Sequence, residues 1–469
     1  MSIRDTEADI VIAGAGMAGL VTAVRAQQCG ADVIVLEKGT RAGGSMYLSG
    51  GEVWAYDSIE EVRADIPNGD PVLQELIVES IEDGHEWLEE LGVELDPIPS
   101  DIPGSGKKIE PEAFTSRMVD IVEDNESEIR LGTPVSELRT RDGKIESVVA
   151  MGSDNEPLKI ETEAVVLATG GFQGNERLVE QFITEHTENL WLRANPWSTG
   201  DGLEAAVDIG AKTTKGMSKF YGHNLPAPPA SISASDFREA AQYYGPMALA
   251  LGVDGNRFAD ETDSEIEEAL PQDTIKDAGG RAYYILDQDV YDSPSLAGHA
   301  GEDVELAREM DGRVAECATL DELGETITDW GGNGRQTVET IRSYNEAIRE
   351  DEAHLLDPPR SDNQYTIETP PFYAVEVQPA ITFTTGGLDV DSDMRVLRQS
   401  NSAANFDAGY TPLETDEMYS NSIPGLFAAG VDVGNVSNRT YQSGLGQSLV
   451  TGIIAAENAA EYAAADTKP

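Results

Sequence analysis

The segment 10–38, IVIAGAGMAGLVTAVRAQQCGADVIVLEK, constrains this chain more than any other. The apolar run 10–13 predicts a buried strand, and Gly14, Gly16 and Gly19 complete a GxGxxG turn. Residues 17–29 predict a helix with Ala, Leu and Val on its inner side, and 33–36 a second strand ending at Glu37. Gly14 permits the tight turn, Gly16 lets backbone approach a pyrophosphate, and Gly19 lets helix and strand pack closely. Met17 and Ala18 open the helix, whose first N–H groups lack intrahelical partners and suit phosphate. Glu37, with Lys38 beside it, stands where an acid can accept bonds from ribose hydroxyls. A glycine turn between strand and helix, answered by that acid, predicts a dinucleotide site without choosing between NAD and FAD.

A second glycine-rich passage follows at once, with Gly43, Gly44, Ser45, Ser49, Gly50 and Gly51. Two close-approach loops suit an elongated cofactor such as FAD. The strand expected at 159–167 runs into Ala168, Thr169 and Gly170, small residues that let backbone approach the middle of that cofactor. Val135 opens a strand pair, 133–150, turned by Asp142–Gly143. Asp201, in TGDG, is placed to cap a helix reaching about residue 209. Near the C-terminus a strand ends at Gly430 and Asp432. A closing helix begins near Gly444, with Ser448 and Leu449 in its first turns.

Elsewhere 57–128 reads as helical and acidic, with an amphipathic helix at 71–91. From 215 to 370 the texture changes and no dinucleotide signals appear. The expected architecture is α/β: a Rossmann-like FAD-binding domain of 1–214 and 371–469, with an inserted α+β capping domain of 215–370.

Acids outnumber bases 86 to 32 across 469 residues, for a net charge of −54. The acids are scattered and the bases comprise 22 Arg and ten Lys, a pattern that suits a halophile's surface. Nucleic acid and anionic membrane are poor partners for such a surface, and an anionic ligand needs a local cationic pocket. Cys29, read as a packing residue, and Cys317 are the two cysteines. With no CxxC or Cys/His cluster, no metal, iron–sulfur centre or disulfide framework is expected. The start of the chain shows no signal-peptide pattern and no apolar run reaches membrane length, so a cytoplasmic location is expected.

The motifs GAGMAGL with Glu37, GGSMYLSGG at 43–51, ATGGF at 168–172, TGDG at 199–202, GNRFADE at 255–261, TFTTGGL at 382–388 and GLFAAGVDVG at 425–434 occur in an order that resembles the fumarate reductase/succinate dehydrogenase flavoprotein superfamily. That superfamily includes 3-ketosteroid Δ1-dehydrogenases, tricarballylate dehydrogenases, urocanate reductases and L-aspartate oxidase. The resemblance implies an FAD-dependent oxidoreductase adding or removing hydrogen across a C–C bond next to a carbonyl or carboxylate, with flavin N5 exchanging hydride. It implies a small-molecule substrate and a separate electron donor or acceptor. Succinate dehydrogenases attach flavin through a His in the second glycine passage; Gly44-Ser45-Met46-Tyr47 has none, so the FAD is expected to be non-covalent.

The resemblance also nominates catalytic residues. Four residues after the motif's Glu261, fumarate reductases carry an acidic-proton donor Arg and ketosteroid dehydrogenases a Tyr; here that position is Glu265, either an acid/base or one more surface acid. His223 matches a substrate-carboxylate His, and Gly386 lies in the substrate-side glycine turn. Arg439 matches a carboxylate-clamping Arg, a role its forked guanidinium suits. Tyr441 matches a Tyr that polarises a ketone. Because neither signature residue follows Glu261, an alternative is a catalytically altered FAD-binding subunit serving electron transfer or binding.

Overall fold

The computed structural model describes residues 4–98, 104–125, 127–152, 154–263, 268–295, 298–362, 364–399 and 421–466. The chain divides into two compact units, one of 1–178, 195–219 and 383–469, the other of 179–194 and 220–382.

The first unit is built on an eight-stranded sheet. Its centre is β1 (Arg4–Ala13), flanked in parallel by β2 (Val33–Leu36) and β3 (Pro157–Leu167). Strand β4 (Ser422–Ala428) continues the parallel run beside β3. Ile10 to Ala13 and Val33 to Leu36 are buried throughout, as expected where helices cover both faces of a parallel sheet. Helix α1 (Met17–Gln28) connects β1 to β2. The closing helix α2 (Gly444–Asp466) lies against α1, with Thr22 Oγ1 donating to the Gly452 carbonyl at 3.2 Å. The hairpin Val135–Arg141 and Lys144–Met151 turns at Asp142 and Gly143, both at positive φ as the Asp-Gly pair predicts.

The stretch 57–128 differs from its sequence-based reading. Helices Ile59–Asp65, Pro71–Glu90 and Pro111–Asp124 are present, but Glu52–Ala55, Asp96–Pro97 and Ser105–Lys108 form a separate three-stranded sheet. Its middle strand, Ser-Gly-Lys-Lys, has no apolar alternation to announce it. Gly106 is needed there because a Cβ would come within 2.5 Å of Trp54. Cys29 also departs from expectation: it ends α1 in an exposed position.

The second unit has a six-stranded sheet whose central strand, Phe372–Thr384, pairs with Trp191–Leu192, Phe220–Pro226, Ala282–Leu286 and Val314–Cys317. Alternate residues serve opposite faces. Tyr284, Leu286, Tyr373 and Val375 pack with Val304 and Ala307 of helix Ala300–Glu309. Tyr283, Ile285, Phe372 and Ala374 pack with Leu323, Ile327 and Ile341 of helices Leu320–Asp329 and Gly334–Arg349.

Helix Ala300–Glu309 buries an acid. Asp303 accepts from Ser295 Oγ at 3.0 Å, yet burial pushes its carboxyl up to about 7. Between the ordinary aspartate value and pH 7 the folded protein keeps a proton that the unfolded chain has lost. Folding therefore takes up a proton in that window, and stability falls as pH rises through it. A shift of roughly three units corresponds to about 4 kcal/mol at most. Asp303→Asn, which keeps the serine contact and cannot ionise, should raise the melting temperature at pH 8 and leave it unchanged at pH 4. Equal effects at both pH values would reject the assignment.

Candidate active site

The glycine turn leaves β1 at a close crossing. Gly14, at φ +106°, would set a Cβ onto the carbonyl oxygen of Ala168, and a Cβ on Gly19 would strike the carbonyl of Gly14. Gly16 N-caps α1 without a capping side chain, and the first turn, opened by Met17 and Ala18, contains no acid. The first turn's N–H groups are thus presented to an anion. The second glycine passage lies against the first: Gly43 donates to the Ala15 carbonyl at 2.7 Å, forming a bridge with Gly16. Ser45 Oγ accepts from the Asn195 amide at 3.1 Å, and Ser49 Oγ accepts the Gly51 N–H at 3.2 Å.

Glu37 is buried at the end of β2. One carboxylate oxygen accepts the Ala15 N–H at 2.8 Å and the other the Gly39 N–H at 2.5 Å, which fixes the plane of the carboxylate. The chain near Val135 is tied to the same place by Thr133, whose N–H donates to the Glu37 carbonyl at 2.8 Å. Lys38 bonds Asp201 at 2.8 Å and the Thr199 hydroxyl. Asp201 therefore does not cap its helix, Asp201–Asp208; Gly200 occupies the N-cap at φ +80° and the carboxylate serves Lys38 and Thr199.

At the end of β3, Ala168 donates to the Ala13 carbonyl at 2.8 Å, and Gly170 runs beside Ser198. Asp432 accepts both the Thr169 N–H and the Thr169 hydroxyl, the latter at 2.9 Å. Burial pushes the Asp432 carboxyl up, and the N–H groups of Thr169, Gly170 and Gly171 oppose that shift. Gly430, at φ +63°, lets its segment pass Ala18 and Ser448. Ser448 Oγ donates to the Gly444 carbonyl at 2.7 Å, while Leu449 packs against Gly84 of helix Pro71–Glu90.

A third group of loops joins these. Gly386 sits where a Cβ would overlap the backbone of Met217, and Leu388 donates to the Asp432 carbonyl at 2.7 Å. The loop 435–443 is held by Asn435, donating to the Thr385 carbonyl at 2.7 Å, and by Thr440, whose hydroxyl donates to the Asp65 carbonyl at 2.6 Å. This loop carries half-buried Arg439 and Tyr441. The Tyr441 oxygen accepts the Gly444 N–H at 2.9 Å, and its ring meets Trp54 and Phe383 with centroids 5.8 and 6.0 Å apart. Gln173 Oε1, Thr385 Oγ1 and both amide atoms of Gln442 are buried without partners among the described residues, as groups facing a polar ligand are. The uncapped helix start, the fixed acid, the glycine cradles and these orphaned polar atoms all fit FAD.

A family model described as an FAD binding domain matches residues 9–449. The chain belongs to that family. The flavoprotein is 26% identical to a probable fumarate reductase of Shewanella frigidimarina, over 97% of this chain and 75% of the relative. It is also 26% identical to a urocanate reductase of Eggerthella lenta, over 98% and 75%. A 3-ketosteroid Δ1-dehydrogenase from Sterolibacterium denitrificans shares its fold, with a TM-score of 0.72, 18% identity, and 97% and 100% of the two chains covered. The flavoprotein is an FAD-dependent oxidoreductase with the Rossmann-like fold that its motifs imply.

The remaining nominated residues fall elsewhere. Glu265 lies outside the described residues. His223 belongs to the second unit, 2% exposed on strand Phe220–Pro226, with Nε2 3.0 Å from the Tyr221 hydroxyl. Burial, aided by the Arg193 charge, holds its pKa well below the usual histidine value, so it is neutral near pH 7. Arg193, Tyr221 and Tyr243 around it belong to no motif, and only the folded sheet assembles them. Among the described residues no group of three or more His, Cys, Asp or Glu is placed to hold a metal, and no helix is long and apolar enough to cross a membrane.

Proposed function

We propose that this flavoprotein moves hydrogen across a carbon–carbon bond conjugated to a carbonyl or carboxylate, with Tyr441 as the donor to that oxygen and Arg439 as its cation. The observation that carries this reading is the bond from the Gly444 N–H to the Tyr441 oxygen. It fixes the phenol at the positive end of α2, where the helix dipole strengthens the O–H as a donor. FAD, when bound, supplies hydride exchange at its N5. Tyr441 stabilises the negative charge that builds on the substrate oxygen, an electrostatic role worth roughly a hundredfold or more in rate. Arg439 precedes it by two residues, and its fork suits a carboxylate oxygen pair. Electrons reach or leave through a separate partner.

The test is anaerobic photoreduction of the bound FAD, followed by unsaturated dicarboxylates, aryl acrylates or enones. One of these should reoxidise the flavin stoichiometrically. Tyr441→Phe should keep its FAD and slow reoxidation about a hundredfold. Reduced flavin that none of these acceptors touches would overturn the reading.

We further infer non-covalent FAD and adaptation to high salt. With no His at 44–47, acid precipitation should leave all the flavin in the supernatant. With a net charge of −54, self-repulsion is strong at low ionic strength and screened within about 3 Å at 1 M salt. Raising KCl from 0.1 to 2 M should lift the melting temperature by well over the few degrees typical of a balanced surface. A flat salt profile would count against that adaptation.

A further inference from the structure

We propose that Arg193, with Tyr221 and Tyr243, forms a recognition site in the second unit for the carboxylate of a planar, conjugated acid.

Arg193 differs from its neighbours in what it bonds. In the second unit Arg257 and Arg360 pair with Glu261, and Arg281 and Arg313 with Glu376. Arg308, Arg335, Arg342 and Arg349 also pair with carboxylates. Apart from Arg238, every described arginine of the unit is so neutralised, except Arg193. Its guanidinium is held by neutral oxygens: Nε donates to the Phe237 carbonyl at 3.0 Å and Nη1 to the Thr382 hydroxyl at 2.9 Å. Those two bonds fix the plane of the fork, and no described carboxylate pairs with its charge. In a chain of net charge −54, a half-buried arginine with no acid paired to it among the described residues is unusual. It also meets the need for a local cation against that background.

The surroundings set the shape of the ligand. Trp191–Leu192, just before Arg193, pairs with Ala380 and Ile381 of the central strand, and Gly222 packs on the carbonyl of Ala380. Arg193 and His223 thus meet near one end of that strand, close enough for the Arg193 charge to act on the imidazole. His223 is buried, with the rings of Tyr221 and Tyr243 edge-on to it at centroid separations of 5.3 and 4.9 Å. Both tyrosines are only half buried. Flat aromatic surface beside one oriented guanidinium suits a planar anion, since rings favour stacked or edge-on aromatic neighbours and the fork favours a carboxylate. A neutral His223 leaves the charge complement to Arg193.

The test uses oxidised Arg439→Gln holoprotein with no electron donor, so neither turnover nor the Arg439 charge bears on it. trans-Cinnamate and its methyl ester are titrated at fixed salt, read by perturbation of protein fluorescence. The acid should bind roughly ten- to a hundredfold more tightly than the ester, the range of a charge-assisted hydrogen bond. Arg193→Gln should erase that preference and leave ester affinity unchanged, and Arg193→Lys should restore part of it. Binding of neither probe, equal binding of acid and ester while Arg193 is present, or a preference that survives Arg193→Gln would overturn the proposal. So would loss of ester affinity in Arg193→Gln, since that marks a structural role.

Discussion

Gly14→Ala should purify colourless. At φ +106° an alanine carries strain of roughly 1–2 kcal/mol, and its Cβ would overlap the Ala168 carbonyl at the crossing of β1 and β3. Neither strand can retreat, because both lie in the middle of a buried parallel sheet. The turn must shift, and with it the start of α1 and the bridge between Gly16 and Gly43. The flavin content of the purified variant, measured after acid release, should fall at least tenfold. Thermal unfolding should begin several degrees lower. A variant that retains stoichiometric FAD would mean that the crossing of Gly14 over Ala168 does not shape the cofactor site.

Glu261→Gln should be the most damaging conservative change in the second unit. Glu261 is fully buried between Arg257, whose Nε bonds it at 3.0 Å, and Arg360, 3.0 Å away on the other side. It also accepts the Ala250 N–H at 3.1 Å. Neutralising it removes the carboxylate that pairs with two buried guanidiniums, which keep backbone carbonyl oxygens such as those of Ala248, Pro246, Ala259 and Pro359 and the ring of Tyr344. Breaking a buried pair in this way costs about 3–5 kcal/mol, roughly 10 °C for a unit of this size. Replacing Glu261, Arg257 and Arg360 together by apolar residues of matching volume should recover most of the loss. Calorimetry of the two variants decides it: equal destabilisation by both would place the cost in packing rather than in uncompensated charge.

Local patterns told most about the first unit. The limits of β2 and the start of α1 follow from apolar runs and the glycine turn, and the hairpin follows from Asp142–Gly143. That the chain belongs to an FAD-binding family was legible because its motifs are short and their spacing reflects local geometry. Asp432 was nominated from its place after a strand, but its bonds to Thr169 span 263 residues and depend on β3 and β4 lying side by side. Asp201 was misread as a cap because the sequence cannot show that Lys38 faces it. The strand Ser105–Lys108 was hidden by polar composition, and Arg193 by the absence of any motif. What was missed is made by long-range pairing, where neighbours in space leave no trace in local spacing.

The placement of the two sheets bears on how the chain is made. The second unit's central strand pairs with four others that are all synthesised before it. That sheet stays incomplete until residue 384 has left the ribosome. The first unit waits longer, for β4 and then for α2 at the end of the chain. Neither core can close on a nascent chain that is half made, although domains commonly fold in order of synthesis. Unpaired strands of both units therefore emerge together, and stalled or truncated chains should aggregate rather than persist as a folded fragment.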